Sequence, residues 1–454
     1  MRDRVTEAIK KSPADYTEIR VERQLATQVS LRGPNLEAAN TIIDTGGFVR
    51  CLYRDSGWGI ATFNSLDDLQ RRISQAAESA RAIAPQEPVE LASVEPSVGK
   101  TTCVMQRDFR EVPLSEKKAL AEAANEAILG FHDNIQDSRV HYSDSFTEYV
   151  YANSEGAYIE EERPLIGLYV AATARNADDV QEAHEYHAGV HGFEVVQGKE
   201  ALAEVAAKRA VDLLSAETIE AGTYTVIADQ LLAAVFAHEA FGHLSESDFV
   251  YDNPQAREMM TLGRRFGSEI LNIVDDGARP GLRGSHPFDD EGTRTQRTDL
   301  VREGVLVGRL HSRETAAKMG ESPTGNARAT GYRYPPIVRM TNTLIEPGTT
   351  SFDDMLSDVK LGVYACHTMG GQTALENFSF SAAWAHVIRN GRIQEMVKDV
   401  ILSGNLFDTL GRIDAIGNDF EWAPGGTCGK SQGGLPVGMG APHIRIREVL
   451  MGGR

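Results

Sequence analysis

The segment that most restricts the fold of this chain is an apolar, helix-forming run, residues 230–237 (QLLAAVFA), which leads directly into His238, Glu239 and His243. Its leucines and alanines favour a helix. On a regular helix, five positions rotate a side chain by roughly 140°, so His238 and His243 would point in different directions. Their imidazoles can meet only if the helix widens into a π-type turn or ends before His243. Gly242 favours an ending, because glycine readily takes the left-handed conformation that closes helices.

The same three side chains have the chemistry of a catalytic metal site. Zinc binds imidazole, thiolate or carboxylate, and a catalytic site keeps one position open for water. A carboxylate that is not a ligand can take the proton of that water. The common zinc-protease pattern, however, places its histidines four positions apart rather than five. From the spacing alone, a metal site and a pair of core histidines beside a surface glutamate both stay open.

A catalytic zinc needs a third protein ligand. The downstream candidates are carboxylates, histidines and two of the four cysteines, Cys366 and Cys428. Cys428 lies in a glycine-rich segment, residues 424–438 (PGGTCGKSQGGLPVG), whose glycines let the backbone bend closely around an ion. A zinc-bound thiol is deprotonated, so this side chain would bring a negative charge to the site.

Composition argues against several other classes of function. The chain has 46 basic and 65 acidic residues and a formal net charge of −19. Proteins that bind nucleic acid or anionic membranes need a basic surface, so neither partner is expected. The N-terminus has no apolar run after its charges, and no stretch approaches about 18 apolar residues, so we expect neither a signal peptide nor a membrane span. Four cysteines in 454 residues fit a reducing compartment, which predicts a cytoplasmic protein.

The chain is long enough for two or more domains. Its first part alternates strands and helices, with paired strands predicted at 16–22 and 26–32 and an amphipathic helix at about 199–215. Its second part consists mostly of short strand candidates between glycine, proline, asparagine and aspartate turns. We therefore predict an α+β fold, with a mixed α/β domain at 1–215 and a β-rich domain at 216–454. The helix that carries the histidines lies near their junction.

Five segments of the chain resemble, in order and rough spacing, the TldD/PmbA family of metallopeptidases. They are HEAFGH (238–243), DDEGTRTQR (289–297), PPIVRMTNT (335–343), IGND (416–419) and CGK (428–430). The likeness covers nearly the whole chain and is strongest from about residue 220 onward. Several ordered segments are far more specific than one short motif.

The resemblance implies that His238, His243 and Cys428 bind one Zn²⁺ and that Glu239 is the general base. Because all four residues are present, the chain resembles the catalytic, TldD-type subunit. The family implies that the substrates are unfolded polypeptides or peptides. It also implies a dimer, either of two identical chains or with a PmbA/TldE-type subunit that lacks the metal motif.

Two other functions stay open at this point. The chain could be a non-catalytic binding subunit of a protease complex, although its intact His238, Glu239, His243 and Cys428 argue against that. It could also be a metallohydrolase that cleaves a non-peptide amide, which sequence alone does not exclude. The metal could be iron or manganese, although two imidazoles with a thiolate favour zinc.

Other conspicuous patterns receive a structural interpretation. The histidines within residues 184–191 (HEYHAGVH) are predicted to be polar residues of a strand. Cys366 and His367 are adjacent, so in a strand they would point to opposite faces. Residues 429–431 (GKS) lack the first glycine of a P-loop, and no helix is predicted after them. The acidic run 289–291 (DDE) is predicted to be a solvated turn.

Overall fold

The computed structural model describes residues 1–83 and 87–452, apart from the side chains of Ala240 and Ala374. The first part of the chain forms a seven-stranded sheet with helices packed against it. Its strands are β1 (Tyr16–Arg32), β2 (Asn35–Tyr53), β3 (Gly57–Phe63), β4 (Val98–Thr101), β5 (Ile135–Asn153), β6 (Tyr158–Arg175) and β7 (Val180–Gly189). Its helices are α1 (Arg2–Lys10), α2 (Leu69–Arg81), α3 (Leu114–Leu129) and α4 (Ala201–Leu213).

The long strands of this sheet run in the order β3-β2-β1-β5-β6, each antiparallel to its neighbour. Strand β6 also pairs with β4 along its first residues and with β7 along its last. Helices α3 and α4 pack on β5 and β6 through buried small residues such as Ala124 and Ala206, which let helix and sheet approach closely. In the described part of the chain, no strand pairs with the outer edge of β7.

The two short strands predicted at 16–22 and 26–32 are wrong, because β1 is continuous through the polar residues between them. Gln24 lies opposite Asp44 of β2 on one side and Thr147 of β5 on the other. Backbone pairing on both sides keeps this stretch extended even though its side chains are polar.

The second part of the chain is rich in strands, as predicted. The strands are β8 (Glu217–Thr218), β9 (Gly222–Ala228), β10 (Ile273–Asp276), β11 (Arg297–Arg302), β12 (Val305–Leu306), β13 (Ala327–Arg328), β14 (Ile337–Val338), β15 (Asn342–Ile345), β16 (Leu361–Cys366), β17 (Gly370–Ala374), β18 (Asn377–Ser381), β19 (Trp384–Arg389), β20 (Arg392–Lys398), β21 (Ile401–Asn405), β22 (Ile413–Ile416), β23 (Glu421–Trp422), β24 (Thr427–Lys430), β25 (Gly433–Pro436), β26 (Gly438–Ala441) and β27 (Ile444–Gly452). The helices are α5 (Gln230–Phe236), α6 (Ser247–Asp252), α7 (Pro254–Met259), α8 (Arg313–Met319), α9 (Phe352–Ser357) and α10 (Leu406–Gly411).

Two sheets enclose the helix that carries the histidines. One has the strand order β17-β18-β21-β27-β9-β16-β19-β20-β8, with β22 paired to β27, and the other has the order β12-β11-β10-β15-β26-β23. Helix α5 contacts β9 and β16 of the first sheet and β15 and β26 of the second. A helix that is apolar on nearly all sides has to be buried in this way, and five of its seven residues are buried.

The acidic run 289–291 is not a solvated turn, so that prediction is wrong. Asp289, Asp290 and Glu291 are 3%, 4% and 3% exposed and lie where the two parts of the chain meet. Glu291 accepts a hydrogen bond from Arg50 of β2 at 2.9 Å, and Asp290 accepts one from Arg163 of β6 at 3.0 Å. Buried charges need partners of opposite charge, and here the partners come from the first sheet.

The predicted α+β fold class is confirmed by this arrangement. The predicted boundary near residue 216 falls between α4 and β8, and the division into two domains at that point stays a prediction. No helix in the described part of the chain has the length and apolar character needed to cross a membrane.

Candidate metal centre

Helix α5 begins at a cap provided by Asp229. One carboxylate oxygen of Asp229, Oδ1, accepts the backbone N–H of Leu232 at 2.8 Å, which satisfies a free donor of the first turn. The other, Oδ2, accepts the backbone N–H of His367 at 2.8 Å and lies 3.1 Å from Nδ1 of the same residue. Asp229 therefore fixes the start of the helix to the residue that follows β16.

After α5 the helix widens into a π turn, Ala237–Gly242, and then tightens into a short 3₁₀ turn that begins at His243. A π turn holds an extra residue, so two side chains five positions apart return to the same side. The imidazole centroids of His238 and His243 lie 5.4 Å apart, with the rings nearly perpendicular. Gly242 keeps right-handed angles, φ −56° and ψ −50°, so the expectation that it closes the helix in the left-handed conformation is wrong.

The third residue comes from a hairpin near the end of the chain. Cys428 lies in β24, which pairs with β25, and its side chain is buried. The guanidinium of Arg339, itself fully buried, donates to the backbone carbonyl of Cys428 at 2.5 Å. This contact fixes the hairpin against the segment before β15, so Cys428 faces the π turn.

The structure brings His238, His243 and Cys428 together with their potential ligand atoms within 4.8 Å of one another. Cys428 Sγ lies 3.4 Å from His243 Nε2. Zinc–sulfur and zinc–nitrogen distances in a tetrahedral site place two such ligand atoms about 3.6 Å apart. Within the part of the chain that the structure describes, this is the one cluster of histidine, cysteine and acidic side chains with such spacing.

His238 supplies the strongest sign that the cluster fits a cation. Its side chain is 1% exposed, and neither ring nitrogen has a hydrogen-bond partner among the described residues. Buried polar groups are nearly always satisfied, and exceptions point to an ion or a water. Burial, together with the nearby His243 and Arg339, lowers the pKa of His238 well below its ordinary value, so the ring is neutral, as a metal ligand must be.

His243 is oriented by a buried carboxylate. Its Nδ1 lies 3.0 Å from Oε2 of Glu246, which turns Nε2 towards Cys428. The same carboxylate lies 3.1 Å from Nζ of Lys430, two residues after Cys428. Although burial opposes it, hydrogen bonds with Cys428 and Glu246 raise the pKa of His243 to about 10, so a cation that binds here displaces a proton. A histidine held by a carboxylate through its second nitrogen is the usual arrangement at metal sites.

Glu239 lies at the open side of the cluster. Its Oε2 is 3.7 Å from His243 Nε2, and its side chain is 31% exposed. Burial raises the pKa of Glu239, although the neighbouring His243 opposes the change. A carboxylate with a raised pKa beside a cluster of ligands is suited to proton transfer near neutral pH.

A cleft of about 320 Å³ opens in front of Glu239 and His238. Its other walls come from both parts of the chain: Tyr186 and Ala188 of β7, Arg283 of the loop after β10, Thr368 after β16, and residues 426–427 before Cys428. The cluster therefore faces a groove between the two parts rather than the interior of either.

The other patterns in the sequence do not join this cluster. His184 and His187 belong to β7, as predicted, although the strand ends at Gly189 before His191. His367 follows β16 with a positive φ of 53° and lies against Asp229. Residues 429–431 belong to the β24–β25 hairpin and its turn rather than to a phosphate loop.

Sequence reasoning did not assign a role in the site to four residues: Glu246, Lys430, Arg339 and Arg283. Glu246 lies three positions after His243, a spacing that places side chains together on a helix and was available as a hint. Arg339 and Lys430 lie within the family-like segments, but only the tertiary structure shows that Arg339 contacts the backbone of Cys428 and that Lys430 contacts Glu246.

Models of one protein family match most of the chain. Models described as the first, central and C-terminal domains of PmbA/TldA metallopeptidases match residues 17–84, 107–214 and 221–453. A Synechocystis protein named as a metalloprotease is 45% identical over 451 residues, which cover 98% of this chain and 96% of the relative. A Saccharolobus solfataricus protein named as a zinc metalloprotease TldD homologue is 28% identical over 444 residues, 97% of each chain.

Solved structures share the fold at lower sequence identity. A Thermotoga maritima protein, described as a candidate modulator of a DNA gyrase, superposes with a TM-score of 0.80 at 23% identity and covers 99% of both chains. TldE from Thermococcus kodakarensis superposes with a TM-score of 0.76 at 19% identity and covers both chains completely. At this identity the likeness concerns the fold alone.

Proposed function

Because the chain belongs to the TldD/PmbA family of metallopeptidases, we propose that it hydrolyses peptide bonds in unfolded polypeptides or peptides with one Zn²⁺ held by His238, His243 and Cys428. The observation that carries this proposal is the buried His238 ring, whose two nitrogens lack partners among the described residues while His243 Nε2 and Cys428 Sγ lie beside it. Two imidazoles and a thiolate suit zinc better than iron or manganese.

The side chains divide the chemistry between them. When bound, zinc supplies a Lewis acid and lowers the pKa of water at the site. Glu239 takes a proton from the attacking water and passes it to the leaving amine. Glu246 holds His243 in the tautomer that presents Nε2. Arg339 holds the backbone of Cys428 so that the sulfur stays beside His243.

The outer edge of β7 offers a place for an extended substrate. The backbone N–H of Ala188 donates outward, to Pro424 O at 2.7 Å. Backbone groups alternate between the two edges of a strand, so those of Tyr186 and His184 face the same outer edge. A peptide in the cleft can pair with them as an added strand, which gives affinity without strong sequence preference. A peptide bound in a non-extended form in a crystal structure would contradict this mode.

Metal content and hydrolysis of an unfolded peptide, measured together for wild type and Glu239→Gln, test the proposal. We expect about one zinc per chain in both proteins, with hydrolysis only by wild type. Glu269→Gln, at a side chain that is 86% exposed, is the matched control and should behave as wild type. A folded protein that binds no zinc would refute the metal centre. A zinc protein that cleaves amides but no peptide would point to the non-peptide alternative.

The partner of the active chain belongs to the same proposal. A homodimer and a heterodimer with a PmbA/TldE-type subunit are both compatible with the family. Activity of the isolated chain in the assay above favours the homodimer. The heterodimer is favoured if wild type and Glu239→Gln both bind zinc but wild type hydrolyses peptides only after a PmbA/TldE-type subunit is added.

A further inference from the structure

Arg283 is a half-buried cation that lies beside the candidate metal centre without an anionic partner among the described residues. It lines the same cleft as His238 and Glu239. Its Nε donates to the backbone carbonyl of Gly426 at 3.3 Å, and no carboxylate of the described residues lies within ion-pair distance of its guanidinium. Arg163, which is half-buried, pairs by contrast with Glu161 and Asp290. The remaining N–H donors of Arg283 are thus free to bind something else.

The backbone around Arg283 is held firmly. The N–H of Gly284 donates to Asn342 Oδ1 at 3.1 Å, and the Asn342 amide donates to Asp276 O and to Ser285 Oγ. A Cβ at Gly284 would lie 2.0 Å from the carbonyl oxygen of Thr341, so only glycine allows this approach. The fixed backbone sets where the Arg283 side chain begins, and its Nε contact with Gly426 at 3.3 Å restrains the guanidinium, so part of the entropy cost of ordering this side chain is already met before a ligand binds.

Arg283 also lies where the cleft meets two neighbouring cavities. One, of about 430 Å³, runs along the first sheet past Tyr169 and Leu168. The other, of about 540 Å³, lies at the junction of the two parts of the chain, near His191 and Arg163. Arg283 lines all three, so a peptide that extends from Glu239 into either cavity passes its guanidinium.

The chemistry of the group favours an anion as the ligand. Burial lowers the pKa of Arg283 below its ordinary value, as expected for a cation that has no carboxylate beside it. A guanidinium with free N–H groups matches the two oxygens of a carboxylate, and such charge-assisted bonds are about twice as strong as those to a neutral carbonyl. Lysine cannot reproduce that planar geometry.

We propose that Arg283 anchors a carboxylate of the peptide substrate, either an aspartate or glutamate side chain or the C-terminal carboxylate, close to the bond that is cleaved. This subsite rests on the proposed peptidase function. The subsite predicts that the protein prefers peptides with an acidic side chain or a free C-terminal carboxylate close to the cleaved bond. Backbone pairing with β7, by contrast, does not depend on the peptide's sequence.

Binding of three matched peptides to the zinc-loaded Glu239→Gln protein tests the subsite. One peptide is neutral, with glutamine in place of glutamate and an amidated C-terminus; one carries the glutamates; one has a free C-terminal carboxylate. We expect at least one carboxylate peptide to bind about 10- to 100-fold more tightly than the neutral one. The peptide that gains affinity identifies which carboxylate Arg283 binds.

The same measurements with Arg283→Met added should abolish that preference and leave the affinity for the neutral peptide nearly unchanged. Arg283→Lys should retain only part of it. Arg279→Met, at an exposed position in the same loop, should keep it in full. Equal zinc content in all variants shows that each protein has folded.

Equal affinity for all three peptides, or a preference that survives Arg283→Met, overturns the subsite. A Glu239→Gln protein that binds none of the three peptides also overturns the subsite. If wild type nevertheless cleaves a peptide, the proposed peptidase function still stands. A carboxylate preference that depends on Arg283, in a protein that cleaves no peptide, supports the subsite and refutes the proposed hydrolysis.

Discussion

At the scale of single residues, the two histidines of the cluster have opposite surroundings. His238 is buried and has no hydrogen-bond partner among the described residues. His243 is held by Glu246, which in turn lies beside Lys430. Without a cation, His238 is a buried polar group left unsatisfied, which is unfavourable. A cation that binds both imidazoles at once would therefore stabilise the folded protein.

We expect Glu246→Gln to weaken metal binding about 10- to 100-fold, because the glutamine amide no longer increases the basicity of His243 or fixes its tautomer. Asp248→Asn is the matched control, because Asp248 contacts Lys430 at 2.9 Å but does not contact His243. Competition with a chelator of known affinity measures both variants. Equal weakening by the two substitutions would mean that Lys430, rather than the contact with His243, governs the affinity.

Candidate residues of the site could be selected from the sequence only where they share a short segment or lie in a family-like one, and their roles stay predictions. His238, Glu239 and His243 are recognisable because they share one short segment, and Cys428 because it lies in a family-like one. The burial of Glu291 could not be foreseen, because its partner Arg50 lies 241 positions away in the chain. An acidic run before a glycine has the same local sequence whether it faces water or a buried arginine.

At the scale of elements, the π turn depends on close packing against the segment that precedes β15. A Cβ at Gly242 would lie 2.0 Å from Met340 Sδ, and Met340 is completely buried. Glycine is thus favoured at this position for space rather than for its backbone angles, which are those of any helical residue. The sequence did not decide between a π turn and a helix that ends before His243. The choice depends on packing against Met340, which is about a hundred residues away in the chain.

Gly242→Ala should destabilise the protein by about 1–3 kcal/mol, the usual effect of an extra methyl group in a well-packed core. It should also lower the zinc affinity, because the π turn has to shift. Gly411→Ala, where an added Cβ meets nothing within 4 Å, is the control and should change stability little. The free energy of unfolding and the zinc affinity are measured for both variants and compared with those of wild type. Full metal binding and stability in Gly242→Ala would show that Met340 moves aside freely.

At the scale of the whole molecule, a buried network of charges joins the first sheet to the rest of the chain. Arg50 of β2 pairs with Glu18 of β1 at 2.7 Å and with Glu291 at 2.9 Å, and all three side chains are nearly inaccessible. Because the candidate cleft has walls from both parts, the orientation that this network fixes also sets the width of the cleft. The α+β class could be predicted from the succession of strands and helices, whereas this contact could not, since it depends on tertiary pairing.

Arg50→Met should destabilise the protein by about 3–5 kcal/mol, because it leaves two buried carboxylates without their counter-charge. Arg23→Met removes an exposed pair with Glu148, whose side chains are 56% and 53% exposed, and should change stability by about 1 kcal/mol or less. Denaturant titrations of the two variants provide the comparison. Equal effects would mean that the junction tolerates unpaired carboxylates, for example by admitting water.

The pH dependence of stability provides a second test of how the two parts are joined. His367 lies between Asp229, which caps α5, and Glu185 of β7, at 3.1 Å and 3.8 Å from their carboxylates, with Arg209 also contacting Glu185. Burial disfavours the charged ring, but the hydrogen bonds to Asp229 and Glu185 outweigh it and raise the pKa of His367 above its ordinary value of 6.5.

Since the folded protein holds this proton more tightly than the unfolded chain, the stabilisation is complete below pH 6.5 and declines as the pH rises through the folded-state pKa. We therefore expect the melting temperature of wild type to exceed that of His367→Gln most below pH 6.5, with the difference shrinking at higher pH. A difference that stays constant with pH would show that His367 joins α5 to β7 as a neutral hydrogen-bond donor.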